Sequence, residues 1–306
     1  MKAVLFTFTF LLVLFGHVFA AIPRVMADSS VHGNSSKEPA AELSSDTLEW
    51  SSVVTKPPAQ WYAFGEQTLN IDQVHDVLYL GIVTGGFLLV DQQLYDVTQN
   101  IRRQSSFVKR VNRFSVAVGD GRYQFAVVGG LALYGWVGGD TRCLRTAGQM
   151  AESIIAVGVV VQVLKRITGR ESPAASTQNG GMWRFFPNLR QYSKNERKFY
   201  SFPSGHISST TAALTVINEN FPEAASWLRP ASYAIIGLVG VGLVGEKMHW
   251  YSDLLPGIAL GYSFGLIASH PKGMKIGQLG STHPAALSIF PTSNGNFSGF
   301  AIAVDF

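Results

Sequence analysis

The feature that most constrains the fold is a series of apolar segments, at residues 77–90, 125–139, 154–164, 231–245 and 254–269, with a weaker one at 207–217. None of them alternates apolar and polar residues with a period of two, so helices are expected and the class is all-α, a helical bundle. Segment 154–164 is apolar nearly all round, as a central buried helix should be. It ends at Lys165, which puts that amine at the mouth of the core. With 306 residues, 47% hydrophobic and 14% charged, the chain can bury one large core. The net charge of +4 is spread out, and no basic stripe interleaved with aromatics points to a nucleic-acid partner.

The two ends read differently. Lys2, the apolar run 3–15 and the Val18-Phe19-Ala20 end have the form of a secretory signal over residues 1–20, with a second possible cut after Ala27. Residues 21–60 turn to Ser, Pro, Glu and Asp and read as a disordered linker that closes at Lys56-Pro57-Pro58. A helical domain over 61–272 follows. Residues 273–306 form a tail in which Ser293-Asn294-Gly295-Asn296 marks the turn of a small β-hairpin, expected to pack on the helices. Cys143 is the only cysteine, so no intramolecular disulfide is available.

The chemistry concentrates between Phe202 and Asp253. At Pro203-Ser204-Gly205-His206 a proline and a glycine flank a serine just before the helical run 207–217. A helix starting there turns unpaired amides and the positive end of its dipole toward an anion. His249 and Asp253 are four apart, and on a helix they would share a face, the carboxylate fixing the imidazole tautomer. Two histidines facing one anion site suggest phosphoryl chemistry, one attacking and one donating a proton. A third element, the basic run from Lys165 to Pro173, closes the apolar segment upstream.

In this order the three elements resemble the phosphatidic-acid phosphatase type 2 / vanadium haloperoxidase superfamily. Its signature is Lys-x-x-x-x-x-x-Arg-Pro, then Pro-Ser-Gly-His, then Ser-Arg-x-x-x-x-x-His-x-x-x-Asp. The middle element is complete at Pro203, Ser204, Gly205 and His206. The first keeps Lys165 and Pro173 with Ser172 in place of arginine, and the third keeps His249 and Asp253 with Gly242 and Leu243 in place of Ser-Arg. The resemblance covers residues 74–270. It implies that His249, held by Asp253, attacks phosphorus and forms a phosphohistidine, while His206 protonates the leaving oxygen and later activates water. It further implies that Ser204, Gly205 and Lys165 hold the equatorial oxygens, with no metal and no cofactor. With both clamping arginines replaced, Arg170, on the same short segment as Ser172, is the candidate to supply the missing charge. Arg197, Lys198 and Lys247 are weaker candidates for the same role.

The activity implied is that of an exported acid phosphatase or phosphatidate phosphatase, acting on a phosphorylated lipid or a small phosphoester or pyrophosphate. A degenerate relative that only binds phosphate is the alternative. A vanadate-dependent haloperoxidase comes last, because vanadate would be poorly held without the arginines. Residues 174–201, between two site elements, are expected to lid the site. A membrane span needs about 20 apolar residues, and the uninterrupted runs here are shorter. Placing the basic loop 102–122 in the cytoplasm would also put Lys165 there, against the exported working place of family members with a signal. A helical globule in the periplasm, in peripheral contact with a membrane, is therefore expected, with an integral inner-membrane protein as the alternative.

Overall fold

The computed structural model describes residues 52–68 and 74–270, together with the backbone of 286–294 and 297–305. The helices are α1 (Ser52–Thr55), α2 (Pro57–Thr68), α3 (Val74–Gln104), α4 (Ser106–Gly119), α5 (Gly121–Gly138), α6 (Thr141–Thr168), α7 (Leu189–Lys194), α8 (Gly205–Asn220), α9 (Ala225–Gly245) and α10 (Tyr251–Ser269). The expected all-α bundle is what forms. In the tail, β1 (Ala286–Asn294) pairs antiparallel with β2 (Phe297–Asp305), the register placing Asn294 opposite Phe297; Asn294 therefore stands in the strand and not in the turn where the sequence places it. The signal segment and most of the linker lie outside the described residues.

Helix α6 is the central element expected from its apolar run. Asp140 caps its start by accepting from the Cys143 amide, and Gly169, at φ 52°, ends it. Ala147, Met150, Ile154, Val157 and Val161 of α6 are buried, packing toward α5, α8 and α10. A second cluster, Ile207, Ile236, Val239, Leu243, Leu254 and Ile258, joins α8, α9 and α10. Burying each such aliphatic side chain contributes roughly 1.5–3 kcal/mol.

The distance between α8 and α10 is set by glycine. Along one face of α10, Cβ atoms at Gly257, Gly261 and Gly265 would come within 2.8, 2.2 and 2.8 Å of the Ser204, Ser208 and Ala212 carbonyl oxygens. Only hydrogen on those α-carbons lets the backbones approach so closely. The contact presses the start of α8 against the start of α10, where the Ser204 amide donates to the Asp253 carbonyl at 3.0 Å.

Three expectations are corrected. Residues 52–60 are not linker: Pro57 opens α2 at a position where proline is favoured, Trp61 Nε1 donates to the Ala156 carbonyl at 3.0 Å, and Lys56 pairs with Glu152 at 3.4 Å. Residues 102–122 are not a basic loop. They contain α4, capped by Ser105, whose buried face carries Asn112, Ser115 and Gly119 while Phe107, Arg110, Arg113 and Phe114 are exposed. The apolar runs do not fall short of a membrane span either, because their helices extend well past them. Asp76–Gln104, Thr141–Thr168 and Pro222–Gly245 are each long and apolar enough to cross a bilayer. The first of these presents Leu78, Ile82 and Leu89 to the outside, with Leu89 81% exposed.

Gly261→Ala should force α8 and α10 apart. An overpacked contact of this kind costs about 1–3 kcal/mol, so the detergent-solubilised protein should melt at a clearly lower temperature. An unchanged midpoint would contradict the close-approach account.

Candidate active site

His249 lies in the short link between α9 and α10, fully buried. Its Nδ1 is 2.7 Å from the Ser201 carbonyl oxygen. A carbonyl can only accept, so Nδ1 carries the proton and Nε2 keeps its lone pair. That Nε2 is buried with no hydrogen-bond partner among the described residues. A ring fixed at one nitrogen and bare at the other is arranged for nucleophilic attack.

Asp253 supports the ring differently from the helical i,i+4 pair expected. His249 precedes the helix, and Asp253 sits in the first turn of α10, where its Oδ2 accepts from the Trp250 amide at 2.7 Å and the Ser201 hydroxyl at 2.6 Å. That oxygen is 3.7 Å from His249 Nδ1, too far for a hydrogen bond, so the carboxylate acts on the imidazole by charge. The carboxylate doubles as a cap on a helix start, a position that favours its ionised form.

Opposite stands the start of α8. Ser204 is its N-cap residue but makes no side-chain cap, and its buried hydroxyl has no partner among the described residues. Gly205 and His206 follow in the first turn, and the His206 and His249 ring centroids are 6.4 Å apart at 63°. Lys165, in the last turn of α6, is buried, with its Nζ 5.0 Å from the Tyr200 ring centroid. A Cβ on Gly205 would be 3.8 Å from that Nζ, so the ammonium faces the helix start. Five expected site residues (His249, Asp253, His206, Ser204 and Lys165) thus converge, with Gly205 beside the amine in the first turn of α8.

Arg170 does not face this gap. It is 1% exposed, and its Nη1 donates to Asp253 Oδ1 at 2.5 Å and Ser252 Oγ at 2.7 Å, while Nη2 reaches Asp91 Oδ2 at 2.7 Å. Its expected phosphate role is corrected: the guanidinium is consumed behind the carboxylate. Neither signature arginine has a hidden substitute at its own position, since Ser172 and Leu243 are fully buried, Leu243 within the α8–α10 cluster. Arg197, Lys198 and Lys247 have exposed side chains; the Arg197 and Lys247 carbonyls bind the Ser172 and Ala174 amides.

The connection 174–201 is tied down at both ends. Arg170 bridges to Trp183 and Tyr200 in the backbone, and buried Glu171 binds the Thr177 amide and hydroxyl and the Arg184 guanidinium. Gly181, at φ +75°, passes so close that a Cβ would stand 2.8 Å from Trp250 Nε1. Sequence reasoning missed Ser201 and Tyr200, which this connection delivers to His249 and Lys165; nothing in local composition distinguishes them.

Two imidazoles and an ammonium beside a helix start are groups that can hold an oxyanion and move a proton. Residues 146–275 match the PAP2 superfamily model. A lipid A 1-phosphatase of Porphyromonas gingivalis is 31% identical over 65 residues, 21% of this chain; the match spans only 15% of that relative's length. A solved structure, the transmembrane PAP2-type phosphatidylglycerolphosphate phosphatase of Bacillus subtilis, aligns over 65% of this chain and 94% of its own, with 15% identity and a TM-score of 0.43.

Burial pushes the His206 pKa down to about 4, helped by the neighbouring His249 and Lys165 charges, and burial also lowers that of His249 against the pull of Asp253. On the roles that the sequence resemblance implies, attack needs His249 neutral and leaving-group protonation needs His206 charged, so kcat/KM should peak on the acid side of the ordinary histidine value and fall as pH rises. A bound phosphate dianion stabilises the His206 cation, so the alkaline limb of kcat should lie at higher pH than that of kcat/KM. A kcat/KM maximum at or above about pH 8 would contradict these assignments.

Proposed function

We propose that this chain is a phosphatase that hydrolyses a phosphomonoester or pyrophosphate group, on a lipid or a small phosphoester, through a phosphohistidine on His249. The observation that carries this reading is the His249 Nε2, buried and without a partner among the described residues, on a ring 6.4 Å from that of His206 between centroids. Nε2 attacks phosphorus in line with the leaving oxygen, which takes a proton from His206. Water, deprotonated by His206, then releases phosphate from His249. The Ser204 hydroxyl, the amides at the start of α8 and the Lys165 ammonium hold the equatorial oxygens through both steps.

A lipid substrate is supported by the similarity to a lipid A 1-phosphatase, and by the three membrane-capable helices among the described residues. The exposed apolar residues of α5, among them Tyr134, Trp136 and Val137, suit the same surroundings. We place the protein at an envelope membrane, exported by the signal read in residues 1–20. A second reading, a phosphate-binding relative without turnover, is favoured by one observation: Ser172 and Leu243 stand where the clamping arginines are expected.

The purified full chain should hydrolyse an artificial phosphomonoester, and a rapid acid-free quench with labelled substrate should trap an acid-labile phosphoenzyme. His249→Ala should abolish both, lowering turnover by at least about 10³-fold. His206→Ala should slow turnover while still allowing phosphoenzyme from a substrate with a good leaving group. Tight vanadate or phosphate binding with no turnover in the wild type would establish the binding-only reading instead.

A further inference from the structure

Arg170 makes more contacts than a structural arginine needs, and they all converge behind the nucleophile. Its two terminal nitrogens are divided between two fully buried carboxylates, Asp253 on one side and Asp91 of α3 on the other. Asp91 also accepts from the Ser252 amide at 3.0 Å and hydrogen-bonds the Ser252 hydroxyl. Gly180 O accepts from Nε at 3.2 Å and Nη2 at 2.6 Å, and the Trp183 and Trp250 rings lie 4.8 and 5.6 Å from the guanidinium carbon. The guanidinium is thus fixed in plane and in depth, its charge shared between Asp91 and the carboxylate beside His249.

We propose that Arg170, anchored by Asp91, is a positioning residue for the reaction, holding Asp253 ionised and oriented behind His249. This rests on the phosphohistidine reading above. Asp253 Oδ1 is taken up by Arg170, which leaves Oδ2 to collect Ser201 and Trp250 and to face the imidazole. Ser201 in turn offers its carbonyl to His249 Nδ1, so the arginine governs both the charge and the hydrogen bond that set the tautomer. Burial alone would raise the Asp253 carboxyl, and the Arg170 charge with the hydrogen bonds holds it below the ordinary value.

The electrostatic sign separates this from mere scaffolding. Protonating either member of the His249–Asp253 pair stops attack, so the acid limb of the pH profile reports the first proton taken up by the pair. The charged and titratable groups that face the pair are Arg170, Asp91 on α3, Lys165 on α6, His206 on α8 and Tyr200 from the connection. Removing the Arg170 charge should move the limb to higher pH, and removing the Asp91 charge should move it to lower pH.

The test uses the full chain in detergent or nanodiscs with an artificial phosphomonoester, comparing Arg170→Gln, Arg170→Lys and Asp91→Asn with the wild type and His249→Ala. Arg170→Gln should lower kcat by about 10–100-fold with KM within a few-fold, and Arg170→Lys should recover part of the loss. The acid limbs of Arg170→Gln and Asp91→Asn should shift in opposite directions, each by about half a pH unit or more. Limbs that stay put, or that move together, would overturn the proposal. If Arg170→Gln does not fold, Asp91→Asn still has to move its limb to lower pH, and nitrogen-15 NMR of the His249 ring in that variant reads its tautomer and titration without turnover. Wild-type turnover that His249→Ala leaves intact would instead sink the phosphohistidine reading, a different outcome from unmoved limbs.

Discussion

Two carboxylates and one guanidinium, all out of water at the start of a helix, are the arrangement on which the rest of this site depends. Asp91, Asp253 and Arg170 are each no more than 1% exposed. Such a cluster is tolerable only when every member is satisfied, because a buried ion without its partner costs several kcal/mol. Here the positive end of α10 helps, since Asp253 accepts from the Trp250 amide and Asp91 from the Ser252 amide. The requirement that all these bonds form together brings α3, the segment after α6, the connection 174–201 and α10 to one point. His249 leaves the chain beside that point, and its freedom is removed by neighbours whose own positions are already fixed.

The second constraint is steric rather than electrostatic. The charge cluster places His249, but only the glycine face of α10 brings α8 near enough for His206 to stand opposite. Phosphoryl transfer asks the protein mostly for position and charge, so a separation set by backbone contact suits it better than one set by flexible side chains. Ser204 illustrates the coupling: its amide is held by the Asp253 carbonyl, while its buried hydroxyl has no partner among the described residues.

The sequence carried the site residues clearly and their reasons less well. Pro203-Ser204-Gly205-His206, Lys165, His249 and Asp253 were readable because helix starts and ends leave local marks. The His249–Asp253 pairing was right for the wrong reason: the spacing fits a helix, yet the residues meet because Asp253 caps α10 and reaches back. Arg170 reads as a phosphate ligand because its nearness to Ser172 in the chain is visible and its long-range partner Asp91, 79 residues away, is not. Helix α4 reads as a loop because its basic residues hide a capped helix whose buried face carries the polar Asn112 and Ser115. The repeat Gly257, Gly261, Gly265 was in plain view, and a spacing of four on an apolar helix is a readable sign of close helix packing.

The replaced arginines bear on what substrate such a site can afford. Leu243 is part of the core between α8, α9 and α10, where an arginine would have to be buried. What remains to hold the anion is the start of α8, Ser204 and Lys165, a set that grips the phosphate weakly in the ground state. Weak ground-state binding lowers turnover only when substrate is scarce around the site. A lipid gathered in the membrane beside exposed apolar faces such as those of α3 and α5 is locally concentrated, which offsets the lost clamp without any new contact to phosphate. A small soluble phosphoester has no such help. The same substitution that weakens the anion site therefore argues, within the phosphatase reading, for the lipid over the soluble substrate.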